Sequence, residues 1–338
     1  MPPLPPPHRD NRMPGLEALR GFAAICILLL HTRAVFGGVP VFGKGYLAVE
    51  FFLMLSGFLM AHVQEERLAR DDAPLRFMAK RYRRLWPTMA IGGTLGLPRL
   101  FVRTSGLGQF ASIALANLLL IPVAFKRELY PLNIPAWTIF YELLANLLHT
   151  LVLRHLKLWT ICLGIALLAP VMVWIGLDWG SFDVGARPES VIAGLPRILF
   201  AYLIGVALGR WWGDTPLIPV PPLLAIPAMP AILAVGWWLG LGHWWFDFGF
   251  TIVACPLMIA GGLRLRCFQR LAELLGQLSF PLFAVQMPIL QGMQMLGFGY
   301  WTGGLTALAG GIVAAFLTSL PGRWKHWREQ ANGQEHPA

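Results

Sequence analysis

An all-α polytopic bundle of about ten membrane-spanning helices, with no separate soluble domain, is the fold class this sequence predicts. Three observations carry it. Of the 338 residues, 56% are hydrophobic and only 13% are charged, whereas a soluble domain carries about a quarter of its residues as charges. Apolar runs of spanning length recur from one end of the chain to the other. At about 20 residues per span, ten spans take roughly 200 residues and leave short loops and two tails.

Taken in order, the opening MPPLPPPHRDNR is proline-rich and polar and reads as a disordered tail over residues 1–13. Met13 begins a more conventional opening, MPGLEALRGF. No small-residue cleavage site follows the first apolar run, so it reads as a retained helix, not a signal peptide. The membrane domain then covers 14–320, and a polar tail covers 321–338. Its eleven apolar segments are 16–36, 46–63, 86–103, 109–125, 134–153, 158–177, 190–209, 221–241, 246–262, 274–296 and 302–320. Segment 86–103 is the weakest, since it holds Pro98, Arg99, Arg103 and three glycines.

Charge decides the count. The loop from Gln64 to Trp86 carries Arg67, Arg70, Arg76, Lys80, Arg81, Arg83 and Arg84, which assigns it to the cytoplasm. If all eleven segments cross, the clusters Arg264/Arg266/Arg270 and Arg323/Lys325/Arg328 fall outside. Leaving 86–103 incomplete brings both inside and puts Asp178, Asp183 and Glu189 outside. Ten spans with both termini cytoplasmic follow, although dropping a different middle segment restores the same parity. The net charge of +10 therefore reflects loop placement, and nucleic-acid binding is not expected. Cys26, Cys162, Cys255 and Cys267 form no close pair, and HExxH is absent, so neither a disulfide framework nor a metal site is expected. No internal repeat is detectable, which weakens the case for a secondary transporter.

Ionisable groups at membrane depth are costly and are functional candidates by default. Arg20 and His31 are eleven residues apart, about 20° past three turns, so they share one helical face about 16 Å apart along the axis. The plainer reading has Arg20 snorkelling to the interface and His31 capping the far end. Glu50 precedes Ser56-Gly57-Phe58, a tripeptide that small-residue helix packing alone would explain. Arg81 and Arg84, at i and i+3, could clamp phosphates or simply hold anionic lipid. Glu142, Asn146 and His149 form a polar stripe at i, i+4 and i+7, which should turn into the bundle for chemistry or for interhelical hydrogen bonding.

Together these residues resemble a family. Leu19-Arg20-Gly21 with His31, Gly45…Glu50-Phe51-Phe52…Ser56-Gly57-Phe58, Arg81…Arg84-Leu85-Trp86-Pro87, Trp137…Glu142 and Leu275-Gly276…Ser279-Phe280 follow the order seen in the acyltransferase-3 membrane O-acyltransferases. The resemblance spans roughly 14–320. It implies a bacterial inner-membrane enzyme that moves an acyl group, often acetyl from acetyl-CoA, onto a hydroxyl of a sugar or glycan. The family's Arg-x10-His pattern falls on Arg20 and His31, and its Arg-x-x-Arg pattern falls on Arg81 and Arg84. One departure stands out. Where a tyrosine-rich helix ending in histidine is usual, this chain reads Ser279-Phe-Pro-Leu-Phe-Ala-Val-Gln286, and glutamine carries no proton on and off near neutral pH.

The mechanism so implied gives His31 the base, with Glu142 or Glu50 to orient it or balance its charge. Arg81 and Arg84 would bind the CoA phosphates with Arg20 in the same cavity, and Ser56, Trp137, Asn146 and Gln286 complete the candidate site. Acyl-CoA acts as co-substrate, not as a resident cofactor, and the partners expected are the glycan acceptor and membrane lipids. Two alternatives remain at this point: a transporter or flippase for a lipid-linked glycan, which would release no CoA, and a catalytically silent family member.

Overall fold

The computed structural model describes residues 13–38, 40–71, 73–213 and 215–333. Apart from a β-bridge between Phe125 and Glu128, every regular element among them is helical. The tail expected over 1–13 lies outside the described residues except for Met13.

Helix α1 (Pro14–Phe36) starts with a proline in its first turn, where the missing N–H removes no helical bond, and stops at Gly37 with φ +79°. Helix α2 (Ala48–Leu59) continues through a π-helical turn, Met60–Gln64, into α3 (Glu65–Asp71). Helix α4 (Pro74–Leu95) passes after one residue into α5 (Leu97–Arg103), and α6 (Leu107–Leu118) turns back. There follow α7 (Ala136–Leu151), α8 (Leu158–Trp179) and α9 (Val191–Trp212). Helices α10 (Pro222–Ala225) and α11 (Ala228–Trp238) form one broken rod. Helix α12 (Trp244–Gly249) joins α13 (Cys255–Leu263) through a second π-helical turn, Phe250–Ala254. Helices α14 (Gln269–Met295) and α15 (Tyr300–Gly333) close the chain. The last runs past Leu320, where the apolar pattern ends, so the expected polar tail begins as helix.

Side-chain contacts give each helix its direction. Glu65 meets His149 and Arg210 at one end of the bundle, hereafter the basic end, while Glu50 meets Arg197 towards the other. Helices α2 and α9 therefore run in the same direction. Their backbones come close because a methyl on Gly205 would overlap the Met54 carbonyl, and one on Gly57 would overlap the Tyr202 carbonyl. The small-residue reading of Ser-Gly-Phe is met at Gly57. Helices α1 and α14 also run in the same direction, packed from Gly276 beside Glu17 to the Gln294 amide donating to the Val35 carbonyl at 2.5 Å.

Among the described residues, eight helices are long and apolar enough to cross a membrane. Counting the rods α4–α5 and α10–α11 as crossings as well gives about ten. The structure differs from the sequence expectation over which segment falls short. Residues 86–103 continue as helix, because each apparent defect is accommodated. Pro98 occupies the first turn of α5, where proline is tolerated. Gly92 and Gly96 abut the Ala284 and Leu132 carbonyls, where a side chain would not fit. Arg99 and Arg103 share Glu128, at 2.8 and 2.7 Å.

The short element lies in 109–125. Helix α6 has 12 residues, about 18 Å against a hydrocarbon core of about 30 Å. It ends at Leu118, Leu120 takes φ +62°, and residues 119–135 turn back beside α4 and α5 without helix. Irregular backbone at such depth needs partners within the protein. Asn117 supplies them: its amide donates to the Ile121 and Leu129 carbonyls at 3.1 and 3.5 Å and accepts from the Leu132 N–H at 3.3 Å. The Tyr130 hydroxyl adds a bond to the Leu120 carbonyl at 2.8 Å.

Candidate active site

A cavity of about 260 Å³ lies among α1, α2, α4, α7 and α14, nearer the basic end. Five of the candidate site residues line it: Arg20, Ser56, Arg81, Arg84 and Glu142. They come from four helices, so only the packed bundle brings them together.

Arg81 is the hub. Its Nη2 donates to Glu142 Oε1 at 2.8 Å and to Ser56 Oγ at 3.2 Å, and the Ser56 hydroxyl donates to Glu142 Oε1 at 3.2 Å. Arg81 and Glu142 are 25% and 23% exposed, so the pair keeps one side open to the cavity. Arg20 Nη1 pairs with Glu17 at 3.3 Å. With Glu142 committed to Arg81 and Glu17 to Arg20, Arg84 faces Arg20 and Arg81 as like charges. The mouth is thus rich in guanidinium N–H donors, which suit phosphate and carboxylate oxygens.

The other end is apolar. One turn outward from Ser56 the lining is Phe52, with Val49 a turn further, and one turn outward from Ser279 it is Phe283. Phe52 also packs on the cluster of Ala24, Leu28, Leu282 and Leu290. That cluster occupies α1 between Arg20 and His31.

His31 therefore stands beyond the cavity and does not line it. It is half-buried, and its Nδ1 is covered with no hydrogen-bond partner. Glu50 is also outside: it is 1% exposed, and both carboxylate oxygens accept from Arg197, at 2.6 and 3.0 Å. The Arg197 guanidinium also donates to the Val184 and Tyr46 carbonyls, at 2.7 and 3.3 Å, and lies 5.4 Å from the Trp137 ring centroid. Trp137 thus sits against the Glu50–Arg197 pair. The polar stripe of α7 does turn inward, and its members take separate partners. Asn146 Oδ1 accepts from the Tyr202 hydroxyl at 3.0 Å, and His149 Nε2 lies 3.0 Å from Glu65 Oε1. Gln286 is fully buried, and neither atom of its amide has a partner.

Sequence reasoning missed Arg197, although the rule that picked out Glu50 applies equally to an arginine inside the apolar run 190–209. It also missed Gln64 and Thr138 in the cavity wall. A glutamine beside a basic loop and a threonine within a helix give no distinguishing signal.

A bundle of apolar helices enclosing a charged cavity is the architecture of a multi-pass membrane protein with a polar site inside it. A family model described as an acyltransferase domain matches residues 13–324, and the chain belongs to that family, the acyltransferase-3 membrane acyltransferases. It is also similar to a Rhizobium radiobacter protein named "Protein 2 in picA locus", 32% identical over 149 residues, which cover 39% of this chain and 77% of that one. No solved structure matches.

Proposed function

We propose that the protein transfers an acyl group, acetyl in the first instance, from acyl-CoA to a hydroxyl of a sugar or glycan. The observation that carries this reading is the cavity's gradient from three guanidiniums to aromatic side chains. Coenzyme A has the matching form, with phosphates at one end and a thin, less polar arm ending in the thioester. Arg81, Arg84 and Arg20 hold the phosphates, and Glu142 and Ser56 fix the Arg81 fork. The basic loop that leads into α4 supports a cytoplasmic mouth, an inner-membrane location and cytoplasmic termini.

His31 is the base. It lies on the face of α1 that carries Arg20, about 16 Å further along, a distance comparable with the pantetheine arm. For the thioester to reach it, Phe52 and Phe283 turn aside. The hydroxyl oxygen forms a bond to the thioester carbon as its proton passes to the imidazole. The carbon–sulfur bond then breaks, and the departing sulfur takes the proton back, so that CoA–SH and an ester result. Glu142, bound to Arg81, serves donor binding in this scheme. Glu50, bound to Arg197, secures the fold.

Purified protein given acetyl-CoA and a candidate glycan should release CoA thiol in step with ester formation. His31→Ala, inserted and folded as the wild type is, should lose about 10²–10⁴-fold in rate. Full activity in that variant removes His31 as the base. Glycan movement without any CoA release would mark a transporter instead.

A further inference from the structure

Gln286 stands apart from the other buried polar side chains. It is 0% exposed on a helix inside the bundle, and both its amide nitrogen and its amide oxygen lack partners. A carboxamide has two donors and an acceptor. Leaving them desolvated and unbonded destabilises the fold, and an apolar side chain of the same size would avoid that cost. Asn146, equally buried, at least has its oxygen bonded to Tyr202.

Its position has a direction. Ser279 and Phe283 line the cavity from α14. Gln286 lies seven residues beyond Ser279, within about 20° of the same face, and one turn past Phe283. It lies on the face of α14 that carries these two lining residues, just beyond the aromatic end, and is itself sealed from the cavity. The register of α1 on α14 places the second unpartnered group. The Gln294–Val35 bond pairs residues 259 apart, so His31 is level with Leu290, one turn or about 6 Å along the axis beyond Gln286. Beyond Phe52 and Phe283 both helices thus carry covered polar atoms without a partner among the described residues, the Gln286 amide and His31 Nδ1.

We infer that Gln286 is an acceptor-binding residue, whose amide hydrogen-bonds the hydroxyl-bearing substrate and holds it beside His31. This rests on the acyl-transfer reading above and deepens it. A hydroxyl is both donor and acceptor, so a pair of neighbouring hydroxyls completes the amide oxygen and the amide nitrogen together. A charged side chain at this position would select an ionic group instead. Gln286 takes no proton in the reaction: the hydroxyl proton goes to His31, and the amide acts on position alone. An acceptor that offers neutral hydroxyls at the reacting end is the chemistry this amide fits.

The test replaces the amide with apolar groups of similar size, Gln286→Leu and Gln286→Met, in the full-length protein. Three quantities are read: acyl content of the cell's glycans by mass spectrometry in a deletion strain carrying each variant at equal membrane level, the melting temperature of the purified protein, and its affinity for CoA by calorimetry. Glycan acylation should fall at least about tenfold, while the melting temperature stays level or rises and CoA affinity is unchanged. A lower melting temperature in both variants would give the amide a structural partner and overturn the proposal. So would unchanged acylation, or a loss of CoA affinity, which would assign Gln286 to the donor. A deletion strain that loses no acyl group from its glycans overturns the acyl-transfer reading itself, and this inference with it.

Discussion

Glu142 and Glu50 entered as interchangeable carboxylates, and their neighbours separate them. Glu142 meets Arg81 and Ser56 with about a quarter of its side chain open to the cavity. Glu50 is sealed under Arg197. No spacing rule could have told them apart, because their partners lie 61 and 147 residues away in the chain. The cationic mouth was legible: Arg20 stood out where charges are scarce, and Arg81 and Arg84 shared a helical face at i and i+3 within the basic loop. Arg84, with Arg20 and Arg81 as like charges beside it and no acid paired to it among the described residues, gives the sharpest test. Replacing it with glutamine leaves Arg81–Glu142 and Arg20–Glu17 intact. The Michaelis constant for acyl-CoA should rise about tenfold or more, as expected for the loss of a charged hydrogen bond to phosphate, and the acceptor constant should stay where it was. An unchanged constant for acyl-CoA would move the phosphate site away from this mouth.

At the scale of elements, the hairpin from α4 to α7 is where pattern reading and structure part. Glycines, a proline and two arginines argued against a complete crossing by 86–103. Yet the glycines seat carbonyls of α14 and of the returning segment, and the arginines find Glu128. Hydropathy counts each residue alone and cannot register a partner 25 to 29 residues away. Glu128 is 15% exposed and lies outside the spanning helices. Burial pushes its carboxyl up, but the hydrogen bonds and charges of Arg99 and Arg103 outweigh this and hold it below its ordinary value of 4.5. A lowered folded value means that the stabilisation is complete above the ordinary carboxylate range and fades as pH falls through the lowered one. Glu128→Gln should therefore unfold more easily at pH 7, by about 1–3 kcal/mol. Its melting temperature should also depend less on pH below about 4.5 than that of the wild type. Parallel melting curves across that range would show that the three charges do not stabilise the hairpin.

For the whole molecule, composition alone was enough to place the chain in a membrane and to set the number of crossings near ten. Charge parity is indifferent to exchanging one middle segment for its neighbour, because parity depends on how many segments fail to cross and not on which. The exchange has a measurable consequence. If α6 turns back, Ser105 and Arg127 lie on one side of the membrane. Cysteines placed singly at these positions in a cysteine-free background should both react with a membrane-impermeant maleimide from the same side. Labelling from opposite sides would make α6 a crossing helix.

The pairing of α1 with α14 also sets an order of events in the making of the protein. Arg20 leaves the ribosome early, while Ser279, Phe283 and Gln286 follow some 260 residues later, about 13–50 s at ordinary rates of synthesis. Until then the cationic cleft lacks a wall and opens sideways into lipid, where anionic headgroups can occupy it. The site is thus completed by a helix made long after Arg20, and a chain that stops short of α14 carries the charges of the cavity without its enclosure.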